Sequence, residues 1–159
     1  HSNIKRYFRI NAFHMIKVQF EYETNKRENL ETKWLRMICN KIFHDNNHSS
    51  GEITIVISND ERLRKLKKKY FHKDLLTDVI SFNLEEEGNP IEGEIYISLD
   101  RVRENTVKFK QKKETELRRV IVHGCLHLIG FNDQTTKGKE EMTFLEDYYL
   151  KQSIISELN

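Results

Sequence analysis

The sequence predicts an α+β domain: one four-stranded mixed β-sheet with helices packed mainly on one face. Three observations lead there. Four short runs carry strand patterning, and the longer stretches among them repeat apolar residues at helical spacing. The first two strand runs are separated by a helix-length segment, which suits a right-handed parallel crossover. The last two are joined by a short polar connection, which suits an antiparallel hairpin.

In chain order, Ile16, Val18, Phe20 and Tyr22 alternate with polar residues as in a half-buried strand. Leu30, Trp34, Ile38 and Ile42 recur at helical spacing, giving an amphipathic helix over 29–43. The polar segment His44 to Ser50 reads as a loop, with His44 and His48 as exposed loop histidines. Glu52 to Ser58 is a continuous β-branched run, expected as a central strand covered on both faces. Asn59 or Asp60 caps the next helix, whose buried stripe is Leu63, Leu66 and Tyr70. Thr77–Phe82 and Gly93–Ser98 form the hairpin around an acidic turn, Glu85 to Pro90. Asp100 is expected to cap a basic helix running to Lys112, and Glu114 or Thr115 to open the helix after it. A polar loop, Gln134 to Gly138, leads to a last helix with Met142, Leu145, Tyr149 and Ile155 on its apolar side.

The most informative stretch is His123-Gly-Cys-Leu-His127-Leu-Ile-Gly130-Phe-Asn-Asp133. Residues four apart share one helix face, so both imidazoles can point at one spot. Gly130 tolerates the left-handed conformation that ends a helix and turns the chain back. Asp133 then arrives on the returning segment. The pattern H-x-x-x-H-x-x-G-x-x-D has metzincin spacing, with Asp at the third ligand position, and predicts a zincin-like metal helix. His123, His127 and Asp133 are the expected ligands of a divalent transition metal, with a coordination position left for water. Asn132 competes with Asp133, but a charged oxygen binds a dication better.

At 159 residues the chain is long enough to bury a core without a structural metal, so the metal is expected to be catalytic. His14-Met15 looks like a junction, which divides a foreign leader, 1–14, from a single domain over 15–159. Cys39 and Cys125 sit among apolar residues and read as reduced core thiols of a cytoplasmic protein. No apolar run reaches membrane-spanning length, so no membrane partner is expected. A net charge of +2 excludes a generally basic nucleic-acid binder and leaves that argument to local patches.

The order of elements and four motifs resemble the YbeY family of bacterial endoribonucleases, the rRNA maturation factors. HGCLHLIGFND resembles the family's H-G-x-L-H-L-x-G-[YF]-D-H, and Thr77 to Phe82 its T-[DN]-V-L-S-F. Gly93 to Ser98 resembles its G-D-[IV]-x-I-[SC], and Glu140, Met142 and Glu146 its acidic E-x-M-x-x-x-E helix. Two departures stand out. The family's third histidine is Asp133 here, and its Tyr-Arg before T-D-V is Tyr70-Phe71. Lys69, His72 and Lys73 are the nearest replacements for an arginine that the family is thought to use on phosphate.

The resemblance implies a zinc-dependent endoribonuclease that cuts single-stranded RNA in ribosomal RNA maturation. Ribosomal RNA or the small ribosomal subunit would be its partner. Iron remains open because two histidines and one carboxylate also suit Fe(II). Lys67, Lys68, Lys69 and Lys73 are the expected RNA contacts, with Tyr70 and Phe71 as rings for base stacking or as core anchors. A second basic run, Lys108 to Lys113, has the same chemistry. No side-chain base is identified; Glu140 and Glu141 are the near carboxylates. Gly124 stands where H-E-x-x-H peptidases carry their general base, which argues against peptide hydrolysis. The rival readings are a ribosome-associated RNA-binding protein with a structural metal, and a metal-dependent hydrolase of other substrates.

Overall fold

The structure, a computed structural model, describes residues 16–25, 30–86 and 90–152. The His14-Met15 junction, Ile155 and part of the acidic turn lie outside those residues. Four strands form one sheet in the order β1-β2-β4-β3: β1 (Ile16–Tyr22), β2 (Gly51–Ser58), β3 (Val79–Asn83) and β4 (Ile91–Ser98). β1, β2 and β4 are mutually parallel and β3 is antiparallel to β4, so the sheet is mixed. The β-branched strand β2 lies inside the sheet, where its Ile53, Ile55 and Ile57 are fully buried.

Among the described residues five helices surround it: α1 (Thr32–Asp45), α2 (Asp60–Phe71), α3 (Leu99–Phe109), α4 (Lys113–Leu128) and α5 (Thr136–Leu150). The main core joins one sheet face to α1, α3, α4 and α5. α2 packs on the other face, where Leu63 and Leu66 meet Ile80, Phe82 and Tyr96. Alternation along β3 explains the division: Ile80 and Phe82 point to α2, and Val79, Ser81 and Asn83 point to α4.

Several local expectations are corrected. Tyr70 is 54% exposed rather than part of a buried stripe; its ring meets Phe82 and the Lys69 ammonium. His44 closes α1 instead of opening a loop, and both it and His48 are half-buried. Asn59 caps α2, accepting from the Arg62 N–H. Ser98, not Asp100, caps α3; Asp100 sits in the first turn and accepts the Asp60 N–H at 2.9 Å. α3 ends at Phe109, where Lys110 takes a left-handed conformation. α4 begins at Lys113 without a side-chain cap. Thr136 to Gly138 belong to α5, because Thr135 accepts the Gly138 N–H and starts the helix there.

α4 lies close against β3 and β4. A Cβ on Gly124 would stand 2.7 Å from Ile95 Cγ2 and 2.9 Å from Val79 Cγ2. A Cβ on Gly93 would stand 2.6 Å from Leu128 Cδ1. Ser81 Oγ donates to the Gly124 carbonyl at 2.7 Å, and Asn83 Nδ2 to the Leu128 carbonyl at 3.1 Å. Gly124→Ala therefore gains helix propensity of roughly 1 kcal/mol but forces the helix off the sheet. The net effect should be a loss of about 1–2 kcal/mol, read as a Tm lower by about 2–8 °C. An unchanged or higher Tm would show that the helix has room to shift.

Candidate metal centre and adjoining cavity

α4 carries the two histidines on one face and then stops sharply. Gly130 has φ +106°, its N–H donates to the His127 carbonyl, and the Phe131 N–H donates to the Leu126 carbonyl at 3.1 Å. This pair of bonds is a Schellman ending, with glycine where the left-handed residue belongs. The reversal returns Asp133 to the histidines, as the spacing requires.

The three side chains converge. His123 Nε2 and His127 Nε2 are 2.8 Å apart, and Asp133 oxygens lie 3.7 Å from the first and 3.8 Å from the second. A tetrahedral zinc site with bonds of about 2.1 Å has ligand–ligand edges of about 3.4 Å. The observed edges scatter around that value. The outer ring nitrogens strengthen the fit. His127 Nδ1–H donates to the Phe131 carbonyl at 3.0 Å, and His123 Nδ1–H donates to Glu146 at 3.2 Å. With both Nδ1 atoms protonated, both neutral rings aim Nε2 lone pairs inward, the arrangement expected of metal-ligating histidines. Lone pairs facing each other at that distance need a proton or a cation between them. The chemistry of the donor set therefore fits a divalent metal.

Electrostatics differ across the pair. Burial lowers the affinity of His123 for a proton, but the hydrogen bond and charge of Glu146, with Asp78 and Asp133, leave its pKa above the ordinary value. His127 is held below its ordinary value by burial and by His123. Arg119 reaches Glu146 at 3.4 Å and Asp147 at 3.3 Å, fixing the carboxylate that orients His123.

Beside the histidines opens a cavity of about 350 Å³. His123, Asp133, Glu146, Arg119 and Lys139 line it, together with Asp78, Asn105 and Glu116. Burial pushes the carboxyls of Asp78 and Glu116 above their ordinary values. Phe109, Val120 and Met142 supply apolar wall.

Comparison with known proteins now identifies the lineage. The family model described as endoribonuclease YbeY matches residues 15–153. The chain belongs to the endoribonuclease YbeY family. It is 39% identical to the endoribonuclease YbeY of Flavobacterium psychrophilum, over 84% of this chain and 94% of that one. It is 41% identical to the endoribonuclease YbeY of Chloroherpeton thalassium, over 80% of this chain and 89% of that one. In structure it is similar to TM1509 of Thermotoga maritima, solved in solution, with TM-score 0.54 and 26% identity over 86% and 87% of the two chains.

Within this YbeY chain, the structure gathers His123, His127 and Asp133 but sets the four lysines elsewhere. Lys67 and Lys69 lie over the rings of Phe71 and Tyr70, at 4.7 and 5.2 Å, on the α2 side of the sheet. Lys68 is 4.0 Å from Asp74, and Lys73 is exposed. Phe71, at the family's arginine position, stacks on Phe82 with ring centres 6.0 Å apart. Glu140 and Glu141 are exposed and line no part of the cavity. Glu146 is instead the carboxylate that meets His123. Asp78, Asn105, Glu116 and Arg119 join the site only through the fold; of these, Asp78 alone falls within a family motif, T-D-V.

Metal must displace the proton on His123. Affinity should therefore fall with decreasing pH through a midpoint above the ordinary histidine value. Glu146→Gln removes the strongest of the groups that raise the His123 pKa, leaving Asp78 and Asp133. It should weaken metal binding roughly 10- to 100-fold near neutrality and move the acid midpoint downward. Competition titration with a chromophoric chelator from pH 5 to 8 measures both. A midpoint that stays put would mean Glu146 does not govern His123.

Proposed function

We propose that this chain is a zinc-dependent endoribonuclease that cuts single-stranded ribosomal RNA during its maturation. One observation carries the reading: three ligand atoms lie within 4.8 Å of one another, and two of their residues, His123 and Asp133, line an open cavity, in a chain of the endoribonuclease YbeY family. A metal bound there would polarise a phosphoryl oxygen and lower the pKa of water. The chain's own residues do the rest. His123 and His127 present Nε2 atoms whose direction is fixed from behind by Glu146 and by the Phe131 carbonyl. Asp133 adds negative charge, which tempers Lewis acidity and keeps Fe(II) an alternative to zinc. Arg119 and Lys139 set positive charge along the cavity wall near an incoming phosphate.

The α2 face supplies a second contact region. Lys67, Lys68, Lys69 and Lys73 offer sequence-independent charge, and exposed Tyr70 and Phe71 offer ring faces for bases. Among the described residues no helix is long and apolar enough to cross a membrane. The buried free thiols Cys39 and Cys125, 3.7 Å apart, suit a reducing, cytoplasmic setting.

His127→Ala should abolish stoichiometric metal binding and lower RNA cleavage at least about 100-fold, measured by elemental analysis and gel assay with and without chelator. RNA that is bound but left intact by the metal-loaded protein would point to a binding role instead. Asp133→His should retain metal and comparable or higher activity; loss of metal would show a geometry tuned to a carboxylate. Replacing Lys67 and Lys69 together by Ala should weaken RNA binding and flatten the slope of log K against log salt by roughly 1.4, since each phosphate neutralised on a single strand adds about 0.7. An unchanged slope would remove α2 from the interface.

A further inference from the structure

The cavity wall holds a buried carboxylate, Glu116, that feels the charge of Arg119 but has few hydrogen-bond donors. Glu116 is only 4% exposed, yet among the described residues its side-chain hydrogen bond is a single long one, 3.5 Å from Asn105 Nδ2. An ionised carboxylate has about four acceptor sites, and burying it without donors is costly. Asp78 stands in a different position, because backbone N–H groups of Asp78 and Val79 already steady its carboxylate. Asn105 Nδ2 lies 3.5 Å from Asp78 as well, so its amide sits between the two acids with both contacts at the limit of bonding. Phe109, 55% exposed, stands at the rim, and Val120 and Met142 give the wall an apolar surface.

This lining selects for a flat ring with N–H donors on its edge. Asp78, Asp133, Glu116 and Glu146 outnumber Arg119 and Lys139 around the cavity, so a phosphate is repelled beside Asp78 and Glu116 and a base is not. The four bases differ in what they would show to Glu116. Guanine presents two adjacent donors, N1–H and the N2 amine, which match one carboxylate, and then O6, which can accept from an amide. Adenine and cytosine each place a ring acceptor beside their amine. Uracil flanks its single N–H with two carbonyls. Acceptors set against a buried carboxylate are repelled and leave it unsatisfied.

We propose that this cavity reads the base next to the scissile phosphate, and that Glu116 and Asn105 make guanine the preferred one. The proposal rests on the ribonuclease reading for its substrate, while the recognition chemistry belongs to the cavity itself. Guanine N1–H and N2–H donate to Glu116, the Asn105 amide donates to O6, and the ring lies against Phe109. Such bidentate edge contacts typically separate right from wrong bases by about 10- to 100-fold.

Two measurements on the metal-loaded full chain test it. The first compares kcat/KM on single-stranded oligonucleotides that vary one base at the cleavage position. Wild type should favour guanine at least about tenfold, and Glu116→Gln and Asn105→Ala should lower the rate on guanine substrates at least about tenfold more than on the others. The second titrates GMP, AMP, CMP and UMP by ligand-observed NMR. GMP should bind at least about tenfold tighter than the others, and that margin should vanish in Glu116→Gln, with thermal melting confirming that the variant folds. Cleavage without base preference, together with equal binding of the four nucleotides, overturns the pocket and leaves the nuclease standing. Selective GMP binding by a protein that cuts no RNA overturns the nuclease and leaves the pocket standing. A Glu116→Gln variant that loses all four substrates equally shows a structural residue and overturns the proposal.

Discussion

The structure depends on how closely α4 approaches the sheet. Two glycines, one on the helix and one on β4, remove the side chains that would hold the backbones apart, and their places are taken by Ile95, Val79 and Leu128. Ser81 and Asn83 then reach helix carbonyls from β3. Hydrogen bonds from a strand to a helix carbonyl demand a fixed separation, whereas apolar packing alone would tolerate a small slide. The combination fixes α4 both in height and along its axis. That matters because a ligand set with edges of a few ångströms tolerates little misplacement.

From this seat the order passes outward through polar side chains. His123 is tied to α5 through Glu146, and Glu146 to Arg119, which comes back from α4 and also meets Asp147. His127 is tied to the turn that its own helix makes, through the Phe131 carbonyl. A nearly buried carboxylate such as Glu146 is costly on its own. With an imidazole and a guanidinium as donors the cost is largely offset, and the group orients rather than destabilises. The glycine ending of α4 thus does two things. It frees the chain to bring Asp133 back, and it presents a carbonyl that sets the tautomer of His127.

The sequence reveals those features that depend on neighbours in the chain. The histidine spacing, the Gly130 reversal and the return of Asp133 are encoded within eleven residues, and β2 is visible because Ile53, Thr54, Ile55, Val56 and Ile57 form an unbroken β-branched run. Features that depend on tertiary proximity are not visible. Asp78, Asn105 and Glu116 come from the start of β3, the middle of α3 and the first turn of α4, and nothing local marks them as one wall. Glu146 can be placed in an acidic helix, but only the packing of α5 beside α4 turns it towards His123 rather than towards water. Tyr70 has the spacing of a core residue, yet it is exposed, and its ring meets Phe82 and the Lys69 ammonium rather than the core. The caps escape sequence reading for a related reason. Several adjacent polar residues could serve at the starts of α3 and α5, and tertiary contacts select among them.

The two departures from the family pattern act on the same quantity, the positive charge offered to a phosphodiester. Asp133 in place of histidine makes the ligand set one unit more negative, and Phe71 in place of arginine removes another cation. The α2 lysines cannot make up the difference at the metal itself, because β3 separates the two faces of the sheet. A single RNA strand touching both must pass the free edge of β3, so the lysines would add affinity at nucleotides away from the reacting phosphate. On the proposed reading, charge near the reacting phosphate would come instead from Arg119 and Lys139 on the cavity wall. Arg119 is already divided between Glu146 and Asp147 at 3.3–3.4 Å, distances longer than those of strong charge-assisted bonds, so part of its field still reaches the cavity. With a weaker net cation at the centre, substrate must be held by contacts other than phosphate charge. On the proposed reading, a cavity lined by Asp78, Glu116 and Phe109 beside His123 and Asp133 suits that division: it would take the base and leave the phosphate at the mouth.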